Sequence, residues 1–146
     1  MRTVTIILAL SVLLFSSAGA QDQQSLRYTV VFSDQQGITH FREESLPWQT
    51  SQTPDRKVPA SLTPYLDAQK VGFLRLPVGF DAGWHPAPSK RFVVQLSGTA
   101  QLEVGDGERR TFTAGSIVLV TDVAGQGHRT ANPGTDDVLM VWVPVP

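Results

Sequence analysis

The chain contains no cysteine. That excludes disulfide stapling, thiolate catalysis, cysteine metal ligands and a lipid anchor on a cysteine after an apolar leader. It also lacks an excess of either charge, with a formal net charge of -1 at pH 7 and 17% charged residues. Neither nucleic acid nor an anionic membrane is expected as a partner on electrostatic grounds. Helical periodicity is missing too, apart from a possible turn near Pro64 to Gln69, and no internal repeat is present. There is no G-x-S-x-G, phosphate loop or H-E-x-x-H, so the common hydrolase and nucleotide-binding signatures are excluded.

The longest almost wholly apolar run is short and lies at the start of the chain. Arg2 precedes Val4 to Phe15, and Ser16-Ser17-Ala18-Gly19-Ala20 follows. A positive start, a short apolar stretch and an A-x-A site describe a signal peptide, with cleavage expected after Ala20. The run falls short of the roughly 20 residues a comfortable membrane span needs. The competing reading is an N-terminal helix kept as an anchor. The export reading predicts a periplasmic or extracellular protein with no stable membrane anchor once the signal is cleaved.

What is present is a punctuated series of short apolar segments. The 146 residues are a one-domain length, 41% hydrophobic, with 12 Gly and 10 Pro. Arg27 to Phe32 reads as a strand, 33–37 as a turn and Ile38 to Phe41 as a second strand. Residues 49–64 are a polar, proline-bearing connection. Further strands are expected at 71–76, 91–96, 99–104, 109–113, 116–121, 127–131 and 137–143, with Asp106-Gly107 as a hairpin turn. Short antiparallel strands with regular turns predict an all-β sandwich or barrel. The expected division is a signal peptide at 1–20, a hairpin and connection at 21–66, and a barrel at 67–146, with 21–146 forming one structural domain.

Two motifs sharpen this. Gly79 to His85 followed by Gly98 resembles the first cupin motif, G-x5-H-x-H-x3-E-x6-G; Gly115, His128 and Asn132 resemble the second, G-x5-P-x-G-x2-H-x3-N. Within the superfamily the chain is similar to small bacterial cupins with W-H-P-A-P and G-x-G-H-R-T stretches, here Trp84 to Pro88 and Gly125 to Thr130. The resemblance covers 71–143 and implies a double-stranded β-helix, or jelly roll. It also implies a homodimer through apolar strand faces. It carries no established reaction with it.

The departures from the pattern bear on chemistry. The cupins that hold a metal do so with three imidazoles and one carboxylate, a set suited to Fe, Mn, Zn, Cu or Ni. Here His85 and His128 stand at two of the four positions. Ala87 takes the place of the second His and Arg91 that of the carboxylate. Thr121 replaces the proline of the second motif, and 121–127 is longer than the pattern. A divalent ion about 5 Å from a guanidinium meets about 6 kcal/mol of repulsion at an effective dielectric near 20. Arg91 therefore points to an anion site with no metal cofactor, and His85 or His128 beside it to proton donation or acceptance.

The alternatives stay open at this level. Strand alternation alone puts Arg91 in solvent and Phe92, Val94 and Leu96 in the core; the motif puts Arg91 and Gln95 inside the barrel. Trp84 and Trp142 are candidate ligand walls, or ordinary core residues. Among the carboxylates near the motifs, Asp81, Glu103 and Asp122, the last is the best substitute metal ligand, giving a His85–His128–Asp122 site. Glu103 reads as a solvated strand residue. His40 either covers the barrel mouth or is a plain surface histidine. The function expected is binding of a small, anionic molecule at a degenerate, metal-free site. The alternative is a mononuclear-metal oxygenase, isomerase or lyase in which Asp122, Gln95 or His40 joins His85 and His128.

Overall fold

The structure, a computed structural model, describes residues 25–50 and 60–146. The expected signal segment and most of the polar connection lie outside the described residues. Among the described residues there are twelve strands and no helix. In chain order they are β1 (Ser25–Ser33), β2 (Thr39–Pro47), β3 (Gln49–Thr50), β4 (Ser61–Leu62), β5 (Gly72–Leu76) and β6 (Asp81–His85), then β7 (Arg91–Ser97), β8 (Ala100–Glu103), β9 (Arg109–Phe112), β10 (Ile117–Val120), β11 (His128–Ala131) and β12 (Val138–Pro144).

Two sheets form the barrel walls. The larger runs β2-β1-β10-β7-β12-β5 and the smaller β6-β11-β8-β9; β3 and β4 make a separate two-stranded ladder. The expected all-β jelly roll is what the chain forms. The N-terminal hairpin is an integral part of it, since β1 and β2 supply one end of the large sheet. One pairing departs from the antiparallel expectation: β1 runs parallel to β10, with Thr29 opposite Val118 and Val31 opposite Val120. Distant segments meet here, so no hairpin geometry constrains their direction.

The strand readings are otherwise close, apart from the short β3–β4 ladder inside the expected 49–64 connection and three further differences. β2 continues to Pro47 through Arg42-Glu43-Glu44, a charged run that reads as strand-breaking. Its charges find partners across the ladder: Tyr28 donates to Glu44 at 2.8 Å and Thr29 to Glu43 at 2.9 Å. β6 is a strand in a stretch between 76 and 91 where none was expected. No helical turn forms at 64–69.

The core lies between the sheets. Val31, Phe41, Val118 and Val120 from the large sheet meet Leu102 and Phe112 from the small one, and Val104 just beyond β8. A second cluster joins Leu76, Ala100, Val138 and Met140. Each fully buried side chain of this size contributes about 1.5–3 kcal/mol. Glycine is required where backbones touch. At Gly98 (φ 75°) a Cβ would lie 2.7 Å from the Asp137 carbonyl oxygen.

Candidate functional site

Between the two sheets the core leaves a cavity of about 220 Å³. An apolar cavity of about 150 Å³ already accommodates benzene. Most of the wall is hydrocarbon, including Leu74, Leu76, Phe80 and Met140. Polar groups interrupt it at His85, His128 and Arg91, and again at Gln95, Ser116 and Thr130.

Strand register accounts for the first three. His85 ends β6 and His128 begins β11, and the two are directly paired. Arg91 begins β7 and pairs with Val120, the last residue of β10; Asp122 follows two residues later. Alternation along β7 then sends Arg91, Val93 and Gln95 to the cavity. Arg91 is only 5% exposed and Gln95 3%, so the inward reading of Arg91 holds. Phe92 and Val94 face the opposite side.

β6 reaches the cavity through a bulge. Its register with β11 shifts between Arg129 and Ala131, so Ala82 and Gly83 together oppose Thr130. Gly83 sits at φ 65°, the left-handed conformation such a bulge needs. The bulge brings both Ala82 and His85 to the wall. Close strand approach also depends on Gly127, where a Cβ would stand 2.0 Å from the His85 carbonyl oxygen.

Hydrogen bonds fix both imidazoles. Asp122 Oδ2 lies 2.7 Å from His128 Nδ1 in a fully buried contact. A carboxylate accepts, so His128 carries its proton on Nδ1 and leaves Nε2 as the open lone pair. His85 Nδ1 is 3.0 Å from the Gly83 carbonyl oxygen, which likewise only accepts. The ring centroids are 4.8 Å apart. Behind His85, the Ala87 amide donates to the Asp122 carbonyl at 2.9 Å, tying the two sequence motifs together.

Arg91 has little to neutralise it. Its Nε donates to the Ser89 carbonyl at 3.0 Å, and its guanidinium carbon lies 4.4 Å from the Trp142 ring centroid. Burial lowers its pKa and the nearby Asp122 charge partly opposes this; an arginine so placed remains a cation. Trp142 also lines the cavity, and its buried Nε1 has no hydrogen-bond partner. Such an orphan donor costs about 1–3 kcal/mol until an acceptor reaches it.

Several expected roles need correction. Trp84 is half-exposed and lies outside the cavity, since strand alternation puts it on the face opposite His85, where it pairs with Arg129. Gln95 lines the cavity, but its amide nitrogen is committed to the Gly98 and Phe112 carbonyls at 2.8 and 2.9 Å. It holds the barrel together and is no free donor. Asp122 faces His128, and the side chain is completely buried behind the wall. It orients an imidazole and does not stand as a third metal ligand. Asp81 pairs with Arg129, which holds its carboxyl well below the ordinary range. Glu103 is a member of the same surface cluster, bonded to Arg109 at 3.0 Å. His40 stands apart from the cavity wall, bridging Asp34 at 3.0 Å and Asp106 at 2.7 Å. It clamps the β1–β2 turn to the β8–β9 turn.

Two contributors were missed. Thr130 lines the cavity two residues beyond His128, a position strand periodicity would have flagged. The turn between β1 and β2 cradles the 121–127 loop that carries Asp122. Thr39 Oγ1 donates to the Gly127 carbonyl at 2.6 Å, and Ser33 Oγ to that of Ala124 at 3.1 Å. Contacts this distant in sequence leave no local signal.

A cupin metal centre does not fit these donors. Two of four ligand positions hold Ala87 and Arg91, and the Asp122 carboxylate, buried behind the wall, gives Oδ2 to His128 and leaves Oδ1 without a hydrogen-bond partner. Among the described residues no group of three His, Cys, Asp or Glu is disposed to hold a metal ion.

The sequence model of the cupin domain matches residues 72–144. Comparison with curated proteins gives no match. Among solved structures the chain is similar to a cupin 2 conserved barrel domain protein from Salinispora arenicola, at 24% identity over 69% of this chain and 76% of that one, with a TM-score of 0.44. It is also similar to a cupin family protein with a double-stranded β-helix fold from Methanocaldococcus jannaschii, at 19% identity over 67% and 89%, with a TM-score of 0.47.

Proposed function

The chain belongs to the cupin domain family, and from that premise we propose that it is an exported cupin binding a small anionic molecule in its barrel without a catalytic metal. One observation carries the reading. Arg91, standing where the family pattern has a metal-binding carboxylate, is a buried cation on the cavity wall with no carboxylate bonded to it. A guanidinium held against an indole face, with one orphan indole N–H nearby, suits a carboxylate or phosphate.

The second reading is a mononuclear-metal cupin enzyme. It is favoured by the Nε2 atoms of His85 and His128, whose Nδ1 atoms are taken by the Gly83 carbonyl and Asp122. Metal analysis of the untagged protein, purified from residue 21 onward, separates the two. The preferred reading expects substoichiometric transition metal. It also expects benzoate, octanoate or phenyl phosphate to change the tryptophan emission, with affinity falling at least about tenfold in Arg91→Met. Stoichiometric metal that disappears in both His85→Ala and His128→Ala overturns it.

Export and dimerisation belong to the same proposal. The export reading rests on residues 1–20 and is tested by the mass of the secreted chain, expected to begin at Gln21. The dimer reading is supported by the outer side of the large sheet, where Phe73, Leu96 and Leu139 are exposed. Sedimentation is expected to give a dimer that Leu139→Lys with Phe73→Lys dissociates.

A further inference from the structure

The polar part of the cavity wall holds more than an anion needs. An anion is satisfied by Arg91 alone; the two imidazoles and the buried carboxylate behind one of them are left over. Their arrangement has three parts. His128 is held by Asp122 in the tautomer that offers Nε2 as a base, and the carboxylate stabilises the imidazolium that forms when Nε2 takes a proton. His85, in its imidazolium form, presents Nε2–H, because its Nδ1–H is committed to the Gly83 carbonyl. Arg91 lies at the same end of the barrel, close enough for the charge of Asp122 to act on it. A base, an acid and an anchoring cation thus border one cavity whose remaining walls are mostly apolar.

A molecule that uses all three must bring a carboxylate for Arg91, a carbonyl oxygen for His85 and a C–H acidified by that carbonyl for His128. A 2-oxo acid is the simplest class that combines them, and the apolar walls select an apolar side chain. We propose that the barrel catalyses metal-independent keto–enol tautomerisation of an apolar 2-oxo acid, with His128 as base, His85 as acid and Asp122 as the positioning residue. The proposal rests on the anion-site reading of Arg91.

The step is balanced without a co-reactant. His128 Nε2 takes the proton from the carbon next to the carbonyl, and the C–H electron pair becomes the C=C bond. The carbonyl π pair moves onto oxygen, which takes the proton from His85 Nε2. Substrate and product are isomers; nothing is oxidised or reduced. The imidazolium on His128 and the neutral His85 left behind catalyse the reverse step, or exchange with solvent.

The experiment uses the protein from residue 21 onward with phenylpyruvate and 4-methyl-2-oxopentanoate in deuterium oxide. Proton NMR follows loss of the C3 hydrogens, and tryptophan emission follows binding in parallel. Exchange is expected well above the protein-free rate. It should fall about 100-fold or more in His128→Gln and become slow in His85→Gln, with both variants still binding the acids. For Asp122→Asn, the rate should drop while the dissociation constant holds within about threefold. Long-range proton–nitrogen spectra should then show His128 moving from the Nδ1–H to the Nε2–H form, a change that mere loosening of the loop would not produce. Binding that needs Arg91, with exchange only at the protein-free rate, overturns the tautomerase proposal and leaves the anion site standing. Exchange that survives His128→Gln overturns it too. Absence of binding by these acids, benzoate, octanoate and phenyl phosphate overturns the anion-site reading itself.

Discussion

The guanidinium carbon of Arg91 lies 4.4 Å from the centroid of the Trp142 ring, inside the barrel. β7 and β12 are neighbours in the large sheet, and Trp142 pairs with Val93, two residues along from Arg91. The cation is thus held by an aromatic face and one backbone carbonyl. Stability gains little from burying it.

Arg91→Met is therefore expected to cost no more than about 1 kcal/mol of folding free energy, because a hydrophobic group of similar length replaces a desolvated charge. Urea unfolding measures this. A loss of 3 kcal/mol or more, on the order of breaking a buried ion pair, would mean that Arg91 is chiefly a structural residue.

Gln95→Leu has the opposite character. It removes both donors that satisfy the Gly98 and Phe112 carbonyls. Two carbonyls left unpaired are expected to destabilise the barrel by about 2–4 kcal/mol, again by urea unfolding. Neutral behaviour would show that another donor reaches those carbonyls.

Gly127→Ala tests the close approach that sets His85 beside His128. The added Cβ would fall 2.0 Å from the His85 carbonyl oxygen, at a φ of 76°. Backbone must move, so a loss of at least about 3 kcal/mol is expected, or no folded protein. Gly79→Ala is the control: it carries a similar φ of 78° but has open space around the added atom. Equal losses at the two positions would remove the steric explanation.

The clamp around His40 predicts a pH dependence. Hydrogen bonds that His40 donates to Asp34 and Asp106 raise its pKa; the His40 bond holds the Asp34 carboxyl below its ordinary value, and the Glu108 amide, with His40 adding to it, does the same for Asp106. The histidine contribution is complete below about pH 6.5, the ordinary imidazole value, and is lost as pH rises through its raised value. The aspartate contributions are complete above about pH 3.9 and are lost as pH falls through their lowered values. His40→Gln should thus lower the melting temperature most between about pH 4 and 6.5 and least near pH 9. A pH-independent difference would show that the clamp acts without charge.

The reading of the barrel came from local information. Alternating apolar residues, the Asp106-Gly107 turn and the spacing of Gly79, His85, Gly98, Gly115 and His128 are properties of contiguous chain. β6 escaped because the bulge at Gly83 interrupts the alternation along it. Charged residues hid the length of β2 because their partners lie across the ladder on β1.

The sequence by itself determined that this is an all-β chain with cupin motifs, that two of the four usual ligand positions hold Ala87 and Arg91, and that His85 and His128 are the histidines of the motifs. The direction in which Arg91 points was undecided, since alternation and motif gave opposite answers and a strand with two apolar-capable faces satisfies both. Only the closing of one sheet against the other decided it. That same closure assigned Trp142 to the cavity and Trp84 to the surface, and it turned Asp122 from a candidate metal ligand into the partner of His128. Each of these depends on which of two faces a residue presents and on what lies across from it, which are fixed by pairings between segments far apart in the chain.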